Sequence, residues 1–261
     1  MTKTFETGAY YHHLKEIDVA GIHHATFLES DEVTTEALKT FHEDHPKIQI
    51  SLAFEKKGYG RTLRAHQGMD LVHECKSLLK HGEVRVALPA DVELLKTFNL
   101  RALSALDVKI DLMAFDYCRP EMGCRTNFHT LFFSWEGASA FHSLLYLQEQ
   151  GFNSHQISLG LARFGIMFKN VLPGMVNSGY AQVCEDQQLE KPEMSQEEIQ
   201  RYLEKNPSAK MFYTSLKGCL QSFIYNQENG DWISFDDEQT LKSKKEWARR
   251  HKLNGVFFYS I

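Results

Sequence analysis

The chain has no excess of positive charge. Its 29 Lys and Arg residues are scattered among 34 carboxylates, for a net charge of −5 over 261 residues. Gripping nucleic acid requires a clustered basic face and holding anionic lipid requires a polybasic segment, so neither is an expected partner. No window approaches the ~18 consecutive apolar residues of a membrane-spanning helix. Residues Met1 to Leu14 are polar and rich in His and Tyr, without the apolar stretch of a signal peptide; the expectation is a cytoplasmic protein or a secreted one already processed. Repeats, low-complexity runs and Pro/Gly-rich linkers are also missing. The length suits a single α/β barrel or two small domains, and these absences favour one domain over residues 1–261.

Metal-binding and cofactor signatures are equally scarce. The doublets His12-His13 and His23-His24 can each offer one ligand at most, because adjacent strand residues point to opposite faces. There is no HExxH and no paired CxxC. His73-Glu74-Cys75 lacks the partner motif of a zinc deaminase, and Gly58-Tyr59-Gly60-Arg61 is too short for a phosphate loop. The sequence therefore predicts no metal and no cofactor. The five cysteines, Cys75, Cys118, Cys124, Cys184 and Cys219, are odd in number and irregular in spacing, so at least one is unpaired. Cys118 and Cys124 are close enough in sequence for a disulfide, and a reducing compartment would leave them as thiols.

What is present is an alternation of short β-rich runs and helical patterns. Strand candidates are Phe5–Tyr11, Ile22–Phe27, Ile48–Phe54, Val84–Pro89, Ile110–Phe115, Ile157–Leu161 and Val256–Tyr259. Helix candidates are Thr34–Asp44, Met69–Lys80, Val92–Leu106, Ala138–Gln150 and Glu238–His251. Such alternation predicts a parallel sheet with helical crossovers, though it does not separate a closed barrel from an open sheet. Residues 169–231 form an insertion too long for a bare loop. Within it Ser195-Gln196-Glu197-Glu198 is a capping box opening a helix. Phe223–Tyr225 and Trp232–Ser234 flank Asn229-Gly230, a hairpin signature. Phe115, Phe132, Phe133, Trp135, Trp232 and Tyr259 read by residue type mostly as core aromatics.

Several segments in order carry a family resemblance. Val84–Ala90 is similar to "L-x-V-A-x-P-A", and Asp111-Leu112-Met113-Ala114-Phe115-Asp116-Tyr117 to "x-L-M-[TA]-Y-D-[FLY]". Gly151 through Gly165 is similar to "G-x-x-x-x-K-[IL]-x-L-G-[IL]-P-x-Y-G-R". Trp232–Asp237 matches "W-[IV]-S-[FY]-D-D", and Asn254–Ile261 is close to "G-G-[VA]-x-x-W-[AS]-[IL]-D". Together they cover about two thirds of the chain and resemble the family 18 glycoside hydrolases, the chitinases and chitinase-like lectins. The resemblance implies an α/β fold of TIM type, a (β/α)8-like barrel with a small α+β insertion before the last helix. Seven strand candidates are one short of that barrel. The spacing from Ile22 to Val84 leaves no room for another βα unit, which takes ~30 residues or more. About one unit is thus expected to be missing from the N-terminal half, with a gap, distortion or substitute in its place; the alternative is a further strand that the pattern does not reveal.

The family's chemistry sits in "D-G-x-D-x-D-x-E" on its fourth strand. The last Glu is the general acid, and the preceding Asp orients the substrate's N-acetyl group, which supplies the nucleophile. Alternate residues share a strand face, which explains the spacing. No segment here has the pattern. In one register Ile48–Phe54 is the third strand, preceded by His45-Pro46-Lys47 in place of the family's "N-P-x-[IL]-K", and the catalytic strand is deleted. In the other it is the fourth strand, Glu55 survives as a lone acid, and Ala53 and Ser51 replace the Asp pair. Phe115 stands where the family has a Tyr that bonds the N-acetyl carbonyl, Tyr259 where it has the Trp under the sugar, and Ile166 where it has an Arg. The candidate catalytic residues are Glu55 and Asp116. The resemblance implies Met113, Phe115, Trp135 and Tyr259 as substrate-binding positions, with Trp135 the leading stacking ring. Loss of several cooperating groups leaves little catalysis. The expectation is an inactive relative that binds a chitin-like or other N-acetylated oligosaccharide, or a protein partner. The alternatives are a weak substrate-assisted hydrolase using Glu55 and Asp116, and a pure interaction, inhibitor or effector protein with a filled cleft.

Overall fold

The computed structural model describes residues 6–11, 24–28, 40, 43–44, 49–53, 84–123, 125–135, 137–175, 178–186, 189 and 191–259. The expected helix Met69–Lys80, most of Thr34–Asp44, and Glu55, His12, His13, His23 and Cys124 lie outside them. Contacts divide the chain into two compact units. One comprises Met1–Met113, Leu144–Gly160 and Ala248–Phe258; the other comprises Ala114–Ser143, Leu161–Trp247 and Tyr259–Ile261.

The first unit is organised by a parallel, TIM-barrel-like sheet. Its strands are β1 (Glu6–Tyr11), β2 (His24–Leu28), β3 (Gln49–Ala53), β4 (Arg85–Pro89), β5 (Lys109–Met113), β6 (Ile157–Ala162) and β13 (Gly255–Tyr259), in the order β1-β13-β6-β5-β4-β3-β2. The expected pairing of the last strand with the first is present, with Glu6 opposite Gly255 and Ala9 opposite Phe258. Among the described residues the sheet has seven strands. β3 pairs β4 directly at Leu52↔Val86 and Ala53↔Ala87, so no strand and no gap separates them.

Near-continuous apolar runs explain the middle of this sheet. All six positions of β6 are buried, as suits a strand covered on both faces. Gly160 is required there: a Cβ would sit 2.7 Å from both the Leu112 carbonyl oxygen and the Phe257 ring. A buried polar layer crosses the same strands. Arg85 donates from Nε and Nη2 to Asp111, at 3.1 and 2.5 Å to Oδ1, and from Nη2 to Ser158 Oγ at 2.5 Å. Asn254 Nδ2 donates to the same Ser158 oxygen at 3.2 Å and Asn254 Oδ1 accepts from Lys109.

The single helix expected over Val92–Leu106 is instead two, α1 (Val92–Leu95) and α2 (Leu100–Ala105). Asp91 caps the first by accepting from the Glu93 N–H at 2.7 Å, and Asn99 caps the second by accepting from Ala102 at 3.2 Å. Asn competes with helical hydrogen bonding in mid-helix and rewards a new start. α3 (Ala140–Glu149) and α5 (Glu238–Arg250) lie where helices were expected.

The second unit is built on antiparallel strands: β7 (Phe164–Val171), β8 (Cys184–Asp186), β9 (Glu193–Ser195), β10 (Lys210–Leu216), β11 (Cys219–Asn226) and β12 (Asp231–Phe235). Their order is β10-β11-β12-β7-β8, with β9 on β7. The capping box opens α4 (Gln196–Lys205) as expected, with Ser195 and Glu198 bonding each other's backbone. Ile199 of α4 packs with Ile224, Ile233 and Phe235 of the sheet. Lys217 and Gly218, both with positive φ (52° and 77°), turn β10 into β11, the conformation of a two-residue hairpin.

Candidate active site

β5 delivers its C-terminal residues to the region where TIM-type barrels carry function. Met113 closes the strand, partly buried, and Phe115 is buried. Asp116 then reverses the chain in the left-handed region at φ 63°, which Asp tolerates better than most residues. The Tyr117 N–H donates to the His129 carbonyl at 2.9 Å, tying the turn to the next segment.

Arg119, three residues on, organises the charge. Its Nη1 donates to Asp116 Oδ1 at 2.9 Å, its Nε to Glu121 Oε1 at 2.5 Å, and its Nη2 to Glu193 Oε1 on β9. The Arg119 side chain is 16% exposed and that of Asp116 is 40% exposed. Burial raises the Asp116 pKa above its ordinary value, Arg119 opposes that rise, and Glu193 and Glu121 reinforce it. Burial also works against the charge on Glu193, but the Arg119 hydrogen bond outweighs it and holds that carboxyl below its usual range. For Arg119 itself burial is outweighed by its carboxylate partners, and the guanidinium is held more firmly charged.

Beside this cluster is an aromatic one. The Phe115 ring lies 5.1 Å from Tyr259 and 5.7 Å from Phe164, the latter edge-on. His129 leans on Phe164 at 5.1 Å, and its Nδ1 is 2.9 Å from Ser234 Oγ. Burial, then Lys244 and Arg119, drive the His129 pKa well down, so the ring is neutral. Trp135 is 79% exposed. It meets the edge of Phe133 at 5.0 Å, and the Lys217 ammonium lies 5.3 Å above its ring.

Of the residues singled out from sequence, Phe115, Asp116 and Tyr259 thus fall in or beside one cluster. Trp135 is a surface ring with a cation over it, Met113 is at the strand end, and Glu55 lies outside the described residues. The core reading by residue type agrees with the burial of Phe115, Phe132, Phe133 and Trp232; Tyr259 is partly buried, and the exposed Trp135 contradicts it. Cys118 is disulfide-bonded, whereas Cys184 and Cys219 are buried. Among the described residues no group of three or more His, Cys, Asp or Glu is placed to hold a metal ion, and no helix is long and apolar enough to cross a membrane. Sequence reasoning missed Arg119, Glu121, Glu193 and His129. The i,i+3 spacing of Asp116 and Arg119 was available as a signal; the contact with Glu193 was not, being 74 residues distant.

The sequence model of the family described as "Glycosyl hydrolases family 18" matches residues 35–261. The chain belongs to that family. It is 23% identical over 230 residues to the chitinase of Autographa californica nuclear polyhedrosis virus, covering 82% of this chain and 38% of the viral protein. The chain therefore spans well under half the length of that relative. Among solved structures it is similar in fold to the Group IV chitinase of Ostrinia furnacalis (TM-score 0.72, 14% identity, 99% of this chain and 93% of the other). It is also similar to a mutant of the class V chitinase of Nicotiana tobaccum in complex with NAG4 (TM-score 0.70, 15% identity, 98% and 93%).

Proposed function

We propose that this chain is a catalytically degenerate family 18 barrel that binds a chitin-like, N-acetylated oligosaccharide without efficient hydrolysis. The reading rests on the direct pairing of β3 with β4. β3, Gln49–Ala53, contains no carboxylate, and no strand intervenes between the two that could carry the family's stacked Asp, Asp and Glu. On this reading one βα unit has been lost from the N-terminal half and the neighbouring strands have joined across the deletion. Phe115 supports it, because a phenyl ring cannot give the hydroxyl hydrogen bond to an N-acetyl carbonyl. Losing one transition-state hydrogen bond costs ~10²–10³ in rate, and losing several cooperating groups leaves little above background.

Binding survives such losses because stacking needs no proton donor. Each sugar–ring contact is worth ~1–3 kcal/mol by analogy with base stacking, so two rings and an Asp116 hydrogen bond give micromolar to millimolar affinity. A second reading, a protein-interaction role with the cleft filled by the chain itself, draws on the packing of Phe115 and Phe164 against Tyr259. Two measurements on the intact chain separate these. No chromophore release from aryl N-acetylchitobiosides is expected; turnover that vanishes in Glu55→Gln would establish the weak hydrolase instead. Calorimetric titration with chitin oligomers of increasing length should give heat that weakens in Trp135→Ala. Silence at millimolar ligand, or heat indifferent to that substitution, would reject the sugar site and leave the interaction role.

A further inference from the structure

We propose that Arg119 is the positioning residue of the Asp116 site: its three-pronged attachment to Asp116, Glu121 and Glu193 fixes the Asp116 carboxylate as a charged acceptor for a ligand hydroxyl. This rests on the sugar-binding reading above and goes beyond it by naming the group that makes the acceptor competent. Asp116 needs such a group. It sits on a left-handed turn, where the backbone sets the direction of its Cα–Cβ bond but not the state of its carboxyl. Its surroundings mostly favour the neutral acid: burial first, then the neighbouring carboxylates of Glu193 and Glu121. Arg119 is the counterweight.

The geometry suits the task. A guanidinium presents its donors in a rigid plane, and here three edges of that plane are used at once. Nε holds Glu121, Nη2 holds Glu193 on β9, and Nη1 is thereby aimed at Asp116 Oδ1. With Oδ1 engaged and 40% of the side chain exposed, Oδ2 is available to a ligand. Without Arg119, three carboxylates would confront one another. The least costly response is for one to take a proton, and Asp116, already displaced upward, is the one placed to do so. A protonated Asp116 keeps only the weaker acceptor capacity of a neutral acid, so a hydroxyl bound there would lose its charge-assisted hydrogen bond.

Arg119→Met removes charge and fork together, whereas Arg119→Lys returns a point charge without the fork. Carbon-13 NMR of the side-chain carboxyls follows the titration of Asp116 in the free protein, with Asp116→Asn assigning its resonance. Calorimetry with the chitin hexamer at pH 5 and pH 7.5 follows binding. The Asp116 resonance should titrate at higher pH in Arg119→Met than in wild type, with Arg119→Lys between them. Affinity in Arg119→Met should fall about tenfold further than wild type between pH 7.5 and pH 5, the worth of one charge-assisted hydrogen bond. An unmoved Asp116 titration overturns the proposal, and so does a weakened affinity whose pH profile matches wild type, the mark of a merely structural arginine. Should Arg119→Met not fold, Arg119→Lys carries the same comparison. No heat from wild type itself would overturn the sugar reading and with it the ligand role of Arg119, a failure distinguishable because the free-protein titration is still read independently.

Discussion

Two arginines, one in each unit, show how differently the same side chain can be used. Arg85 lies in the parallel sheet against the Asp111 carboxylate; their side chains are 3% and 2% exposed, and Ser158 takes a further donor. Arg119 lies past the end of β5 with three carboxylates, each more exposed than the arginine itself. The first pairs with a carboxylate inside regular strands, where an unmatched ion would be intolerable. The second carries an excess of negative charge at a loop. A buried, matched pair constrains the fold; a partly exposed, overcommitted arginine leaves charge for something else to use. The difference teaches which ion pair to assign to architecture and which to recognition.

The largest expected effect breaks the comparison on its architectural side. Arg85→Met leaves Asp111 charged and buried, and breaking one partner of a buried pair costs about 3–5 kcal/mol. Arg119→Met frees partly solvated carboxylates and should cost about 1 kcal/mol or less. Denaturant midpoints of the two variants measured side by side are the check, at equal dependence on denaturant concentration. Equal losses would mean that exposure is a poor guide to which arginine supports the fold.

How far the sequence displayed this contrast depends on the distance over which each signal acts. The strands β4, β5, β6 and β13 were legible because each is a short apolar run bounded by turn or helix residues. The capping box at Ser195 was legible because both of its members lie within four residues. β7 was missed: the apolar run from Ile157 continues to Phe168 with Arg163 as its main interruption, and no Gly/Pro turn marks where the parallel strand ends and the antiparallel one begins. The Val92–Leu106 helix was read as one because its apolar spacing is helical on both sides of Asn99, and a cap in mid-pattern is a local competition that periodicity does not register. At the site, the departures at Phe115, Ile166 and Tyr259 were visible residue by residue against the family motifs. The clamp was not, since Arg119 and Glu193 meet only after β9 has folded back onto β7.

His129 sharpens the comparison through pH. It is fully buried, and burial together with Lys244 and Arg119 depresses its pKa in the folded chain. The unfolded chain has an ordinary His near 6.5. Below that value the unfolded state takes up a proton that the folded state refuses, so stability falls as pH falls. The limiting slope for one group is about 1.4 kcal/mol per pH unit, which integrates to about 1.6 kcal/mol between pH 6.5 and pH 5 and fades out about one unit above pH 6.5. His129→Gln, which keeps a polar partner for Ser234, should lose this slope in urea titrations at pH 5 to 7.5. A slope identical to wild type would assign the acid sensitivity to carboxylates instead.

The smallest effect is the most diagnostic of the excess charge. Arg119 faces Asp116, Glu121 and Glu193, so three negative charges meet one positive charge among these four residues. Removing the most exposed of them, in Glu121→Gln, sacrifices a surface ion pair of small worth but also relieves repulsion on Asp116, which Glu121 pushes upward. The two contributions oppose, and the net change should be neutral or slightly stabilising, within about 0.5 kcal/mol. Salt separates them from a packing effect. At about 1 M ionic strength the screening length shrinks to about 3 Å, and any gain relative to wild type should disappear. A loss above about 1 kcal/mol that persists in high salt would show that Glu121 anchors the loop as Asp111 anchors the strands. The two arginines would then be alike in kind and different only in depth.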